Sequence, residues 1–168
     1  DIHGNSKRFK PTGVMGANAL KQISAGKSWV YGVTPRQEVY RCALPACKDN
    51  PKWITVSGIF FKQVEVIGEE VWGLTAYGEL WFTTAGYDRF RFVQTPPLLE
   101  VAVNRDWIWG IQEKDLMVVV CRRPCFGEWR NVVGMNKRMD HLSVGDDNIW
   151  ITDASGVMFK AVLSVKPP

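Results

Sequence analysis

Apolar and polar residues alternate with a period of two in four short stretches of this chain. Ile23 and Ala25 alternate with Gln22 and Ser24, and the same pattern returns at Val64/Val66, Val101/Val103 and Leu142/Val144. That period sends successive side chains to opposite faces of an extended strand. A polar turn follows, as at Gly68-Glu69-Glu70 and Gly145-Asp146-Asp147-Asn148, residue types that accept turn dihedrals. A second predicted strand carries an aromatic anchor: Tyr31, Trp72, Trp109 and Trp150 recur at intervals of 41, 37 and 41 residues. Val30, Val71, Ile108 and Ile149 precede the anchors. Gly32, Gly73 and Gly110 follow them, with Ile151 in the fourth copy. Nine residues beyond each anchor stand Tyr40, Trp81, Val118 and Phe159, the predicted end of a third strand. A fourth strand begins at an aromatic residue, with Trp53…Val56…Gly58 and Trp129…Val132…Gly134 alike and Phe90…Val93 a looser match.

Four extended pieces recurring every forty or so residues are the sequence signature of propeller blades. The predicted fold is all-β, a β-propeller of four-stranded antiparallel blades. It forms one domain over residues 1–168, with repeats at roughly 19–58, 59–97, 98–136 and 137–168. The last repeat ends before a fourth strand. Residues 8–13, around Phe9 and Pro11, resemble an outer strand and are expected to complete it, closing the ring and removing an exposed sheet edge. Proline is tolerated on such an outer edge. The rival arrangement is an open four-blade arc whose end blades need a second chain to cover them.

Composition narrows the setting. A chain of 168 residues buries a real core, and no apolar run approaches the ~18 residues of a membrane-spanning helix. No charged-then-apolar leader stands at the start, which suits a cytoplasmic protein or a secreted one after signal removal. The cysteines favour secretion. Cys42 and Cys47, and Cys121 and Cys125, form two local pairs at the same place in alternate repeats. Of the three possible pairings, two local disulfides are the simplest, because each closes one hairpin or turn. Four reduced thiols are the alternative. Zinc is disfavoured by the spacing and by the presence of only His3 and His141. Disulfides imply an oxidising compartment.

The segments Leu20-Lys-Gln-Ile-Ser-Ala-Gly26, Val30-Tyr-Gly-Val33, Val39-Tyr-Arg-Cys42 and Cys121-Arg-Arg-Pro-Cys-Phe-Gly-Glu-Trp129 closely resemble the tectonin-repeat β-propeller lectins. That family includes horseshoe-crab lipopolysaccharide-binding lectin and fish egg lectins, and the resemblance runs from Leu20 to Phe159. It implies secretion or surface exposure, and binding of glycans or lipopolysaccharide at several similar sites, in innate defence or in an egg coat. The chain departs from the family in having Thr34, Thr75, Gln112 and Thr152 where members usually carry Asn, and in showing four repeats where many show five or six.

Aromatic faces stack on pyranose rings while amides, carboxylates and guanidinium groups satisfy the hydroxyls. Trp72, Trp109 and Trp150 offer such faces, yet their regular recurrence suits packing between blades better. Trp107, beside the Asn104-Arg105-Asp106 turn, and Tyr77, at a hairpin tip, fall outside the repeated columns and are ligand candidates. The net charge of +4 gathers partly in Arg122, Arg123, Arg130, Lys137 and Arg138, a patch suited to phosphate or acidic polysaccharide. Charge alone carries no sequence specificity, so no nucleic-acid partner is expected. The candidate ligand set is therefore Trp107, Asn104, Arg105, Asp106, Tyr77, Arg122, Arg123, Trp72 and Trp150. There is no Gly-x-Ser-x-Gly, phosphate loop or His-Glu-x-x-His, and Asp146, Asp147 and Asp153 read as turn residues rather than a calcium loop. The expected protein is a lectin, not an enzyme, with no metal or cofactor, and open to homo-oligomerisation. The alternative is a propeller serving as a protein-interaction or assembly module.

Overall fold

A computed structural model describes residues 19–47, 52–133 and 137–163. The first antiparallel sheet is built from β1 (Gln22–Ala25), β2 (Trp29–Val33), β3 (Glu38–Ala43) and β4 (Ile54–Phe60). The second contains β5 (Gln63–Ile67), β6 (Glu70–Leu74), β7 (Leu80–Thr84) and β8 (Arg91–Val93). The third contains β9 (Leu98–Val103), β10 (Trp107–Gln112), β11 (Val118–Arg122) and β12 (Arg130–Asn131). The fourth shows three strands, β13 (Met139–Val144), β14 (Asn148–Asp153) and β15 (Met158–Val162). Each sheet is a simple meander, as the repeat predicts. The expected closing strand at residues 8–13 lies outside the described residues, as does Gly134. Among the described residues no helix is long and apolar enough to cross a membrane.

The anchors Tyr31, Trp72 and Trp109 belong to the core between blades. Tyr31, Val33, Val39 and Val56 of the first blade meet Phe61, Val64 and Val71 of the second. Trp72, Leu74 and Leu80 meet Leu98, Val101 and Ile108, and Ala102, Trp109, Ile111 and Val118 meet Met139, Leu142, Ile149 and Ile151. Each blade thus presents one apolar face backward and one forward, and burial of both faces is the main force holding the stack. The glycine after each anchor has a steric cause. A Cβ on Gly73 would lie 2.1 Å from the Phe61 ring, and one on Gly32 would lie 2.6 Å from Leu20. In the fourth blade the corresponding opening residue is the flexible, unbranched Met139, and Ile151 takes the glycine's place.

Successive blades are also stitched along their inner strands. Gln22 accepts from the Val64 N–H at 2.9 Å and donates to the Val64 carbonyl at 2.7 Å. Gln63 does the same to Val101 at 3.0 and 2.6 Å, and Glu100 accepts from the Leu142 N–H at 3.3 Å. Inner-strand packing runs from β1 to β5, β9 and β13. Among the described residues no contact of like extent joins β13 to β1.

Two details differ from the sequence reading. Tyr40, Trp81 and Phe159 stand near the start of the third strands, not at their ends. In the third blade the equivalent residue is Val119, opposite Gly110, rather than Val118. The cause is one extra residue in the β10–β11 turn, where Leu116 adopts a φ of 61°. The outer strands β4 and β12 begin one residue after Trp53 and Trp129. Both predicted disulfides, Cys42–Cys47 and Cys121–Cys125, are formed, which is consistent with an extracellular protein.

Candidate functional site

A cleft of about 620 Å³ opens between the outer strands of the first two blades, within the size range of small-molecule sites. Phe60 at the end of β4 forms one side. Tyr77, Trp81 and Phe90 form the other, with Glu79, Asp88, Arg89 and Arg91 among them. Tyr77 is 83% exposed and Phe60 60% exposed, so two aromatic faces are offered to solvent at one opening. Local chemistry sets this geometry. The Thr75 carbonyl accepts from the Gly78 N–H at 3.1 Å, and Thr75 Oγ1 accepts from the Glu79 N–H at 3.1 Å. The turn closes with Gly78 at a φ of 77°, a conformation that favours glycine, and Tyr77 is lifted to its tip.

Behind the opening the wall is braced. Trp81 Nε1 donates to Glu79 Oε2 at 3.4 Å, and its ring meets Phe92 edge-on at 5.7 Å. Phe90 packs on Phe61 at 5.0 Å. Asp88 pairs with Arg41 at 2.9 Å, whose guanidinium lies 5.0 Å from the centre of the Trp29 ring. Thr83 Oγ1 donates to the Arg89 carbonyl at 2.8 Å, fixing the loop before β8. The arrangement offers apolar ring faces beside a carboxylate and two exposed guanidinium groups. That combination suits a flat molecule edged with hydroxyls.

The sequence-predicted residues divide among three places. Asn104, Arg105, Asp106, Trp107, Arg122 and Arg123 gather at one end of the third blade, where Trp107 pairs with Arg122 across β10 and β11. Several of them are committed to the fold. Asn104 is buried; its Oδ1 accepts from the Asp106 and Trp107 N–H groups, and its Nδ2 donates to the Gly145 carbonyl at 3.1 Å. Arg123 pairs with Glu70 of the second blade and donates from Nη1 to the Asn104 and Arg105 carbonyls, both at 2.6 Å. Trp107 is half-buried against the third core cluster. Trp72 is only 3% exposed. It stacks at a tilt on Phe82 at 4.7 Å and shows an edge to a smaller cleft of about 290 Å³ with Glu70, Arg91 and Phe126. Tyr77 stands apart from this group in the cleft described above, and Trp150 stands on the forward face of the fourth blade.

The residues that sequence reasoning missed are Phe60, Phe90, Glu79, Arg89 and Arg91. They sit on outer strands and loops, where the repeat is weakest. Trp81 lay in a repeated column and carried no sign that it faced a cleft.

The inner strands β5 and β9 carry two carboxyl groups in unusual settings. Burial pushes Glu65 up to about 7, against a hydrogen bond received from Gln63 Nε2 at 3.1 Å. Burial raises Glu100 too, opposed by His141, whose Nδ1 lies 3.3 Å from Glu100 Oε2.

No protein family and no curated protein matches the sequence. Solved structures do match. Human WBSCR16 superposes with a TM-score of 0.65 over 87% of this chain at 12% identity. Prp20p from Saccharomyces cerevisiae does so with 0.61 over 93% at 11% identity. The computationally designed Ika4 protein gives 0.62 over 90% at 10% identity. The chain is a β-propeller. At such identities the likeness establishes the propeller fold and does not reach the tectonin-repeat lectins in particular. This propeller spans about half the length of WBSCR16 and Prp20p, 48% and 47%, and matches 96% of Ika4.

Proposed function

We propose that this propeller is a secreted, non-enzymatic carbohydrate-binding protein, and that the cleft between its first two blades takes a sugar of a glycan or of lipopolysaccharide. The observation that carries the reading is the pairing of exposed Tyr77 and Phe60 with Glu79, Arg89 and Arg91 at one opening. Aromatic faces bury the apolar face of a pyranose, and the charged groups supply hydrogen bonds to hydroxyls or to an anionic substituent. The resemblance to tectonin-repeat lectins points the same way, and two disulfides support secretion. Open clefts occur at two blade junctions, and useful affinity is expected from several weak sites engaging one surface together.

A glycan array combined with lipopolysaccharide-coated surfaces tests this. Binding is expected, with competition by free saccharide, and with a loss of about tenfold or more in Tyr77→Ala while the melting temperature is unchanged. A protein that retains no glycan on either format overturns the reading. The second reading is a protein-interaction module. Exposed Tyr87, Phe92 and Phe126 favour it, as does the fold likeness to yeast Prp20, solved with Kap60 bound. Retention by a protein partner that saccharide does not displace would select it.

A further inference from the structure

The two clefts flank the second blade, one at its junction with the first blade and one at its junction with the third. Among the described residues they share only Arg91, on the outer strand β8, which lines both. Arg91 pairs across the strands with Phe82 of β7, and its guanidinium carbon lies 6.0 Å from the centre of that ring. Contact with a ring face leaves the planar N–H fork open to a ligand.

The charges at the two openings are unequally engaged. At the first, Glu79 accepts from Trp81 and Asp88 pairs with Arg41. At the second, Glu70 pairs with Arg123 and accepts from Trp72. Among the described residues these are all the carboxylates that line either cleft, and neither Arg89 nor Arg91 has a carboxylate within ion-pairing distance. The unused charge is therefore positive, and a guanidinium fork holds a carboxylate, sulfate or phosphate through charge-assisted hydrogen bonds. Aromatic faces stand on either side of it. Tyr77 and Phe60 are exposed at the first cleft, and Phe92 and Phe126, 54% and 82% exposed, border the second. Phe126 is set between Cys125, bridged to Cys121, and Gly127 at a φ of 97°. Trp129 Nε1 donates to the Gln94 carbonyl at 3.0 Å and ties this loop to the end of β8.

On the carbohydrate reading of the first cleft, on which the assignment rests, we infer that both clefts hold one acidic oligosaccharide, with its carboxylate, sulfate or phosphate on Arg91 and its neighbouring sugars against Tyr77 and Phe126. Packed sheets lie about 10 Å apart, so successive junctions are separated by a gap that an oligosaccharide bridges and a monosaccharide does not. Arg91 is then the residue that selects for charge, and Phe126 one that selects for length.

Calorimetric titration tests this with galacturonic acid oligomers, their neutral methyl esters, a sulfated and a phosphorylated oligosaccharide, and galacturonic acid itself. The best acidic oligomer should bind about tenfold or more tightly than the esters or the monosaccharide, and its class identifies the anion. Arg91→Gln should remove that advantage. Phe126→Ala should weaken the oligomer and leave the monosaccharide unchanged, and Lys114→Gln, at an exposed cation outside both clefts, should change neither. All three positions are exposed, so each variant should melt with the native protein. Esters bound as tightly as acids, an oligomer that Phe126→Ala leaves unaffected, or an equal loss in Lys114→Gln overturns the assignment and leaves the sugar-binding reading standing. Polyglutamate bound more tightly than any acidic oligosaccharide, and lost in Arg91→Gln, overturns it in favour of an acidic peptide. Binding of no saccharide, neutral or acidic, overturns the sugar-binding reading with it.

Discussion

Gln22 holds Val64 at both of its main-chain groups, accepting from the N–H and donating to the carbonyl across the first blade junction. A side-chain amide suits this at every pH, because it carries a donor and an acceptor side by side. Gln63 repeats the pairing on Val101. At the third junction Glu100, when ionised, keeps the accepting half alone.

Gln63→Leu should therefore destabilise by about 1–3 kcal/mol for each Val101 group left buried without a partner. Glu100→Gln should act in the opposite sense near neutral pH, restoring a donor toward Leu142 and removing a partly buried charge. Urea unfolding of the two variants checks both signs; a stabilised Gln63→Leu would show that the stitching contributes nothing.

Glu65 links stability to pH. Its carboxyl in the folded chain titrates near 7 against an ordinary value of 4.5, so between these values the folded state binds the proton and the unfolded state does not. Its contribution is fully present below about 4.5 and is lost as pH rises through 7. One unit is worth about 1.4 kcal/mol, which bounds the loss at a few kcal/mol. Thermal melts from pH 4.5 to 8 should show this fall in the native protein, and Glu65→Gln should flatten it.

Trp109 and Tyr77 should separate packing from binding. Trp109 is buried between the third and fourth blades, and Trp109→Ala is expected to cost about 3–5 kcal/mol. Tyr77→Ala, at an exposed tip, should stay within about 0.5 kcal/mol of the native protein. Chemical denaturation of the two, run beside the glycan assay, distinguishes a core aromatic from a ligand aromatic.

Removing either disulfide as a Cys→Ser pair should cost about 2 kcal/mol, since each closes a short loop and constrains the unfolded chain little. Cys42–Cys47 and Cys121–Cys125 are separated by five and four residues. Non-reducing peptide mapping of the native protein should return these two local bridges and no cross-blade bridge.

The sequence by itself determined the blade. Alternation at Ile23/Ala25 and its repeats, the Tyr31–Trp72–Trp109–Trp150 column and the two cysteine pairs are local or strictly periodic features, and strand faces follow directly from such patterns. Tertiary structure decided which members of a column meet a partner. Trp72 and Trp150 are the same residue at the same blade position, yet one is buried by a following blade and the other is 40% exposed because no described blade follows it. It also decided the cleft, which draws Phe60 from one blade and Tyr77, Trp81 and Phe90 from the next. Phe60 and Tyr77 stand outside the repeated columns, on an outer strand and a turn free of the close packing that keeps the inner strands alike, and Trp81 and Phe90 lie in columns that carry no sign of a cleft. The one-residue insertion at the β10–β11 turn shifted Val118 out of its apparent column for a related reason. A turn can absorb an extra residue at a positive φ, as at Leu116, while the paired strands on either side must keep their register to bury their apolar face.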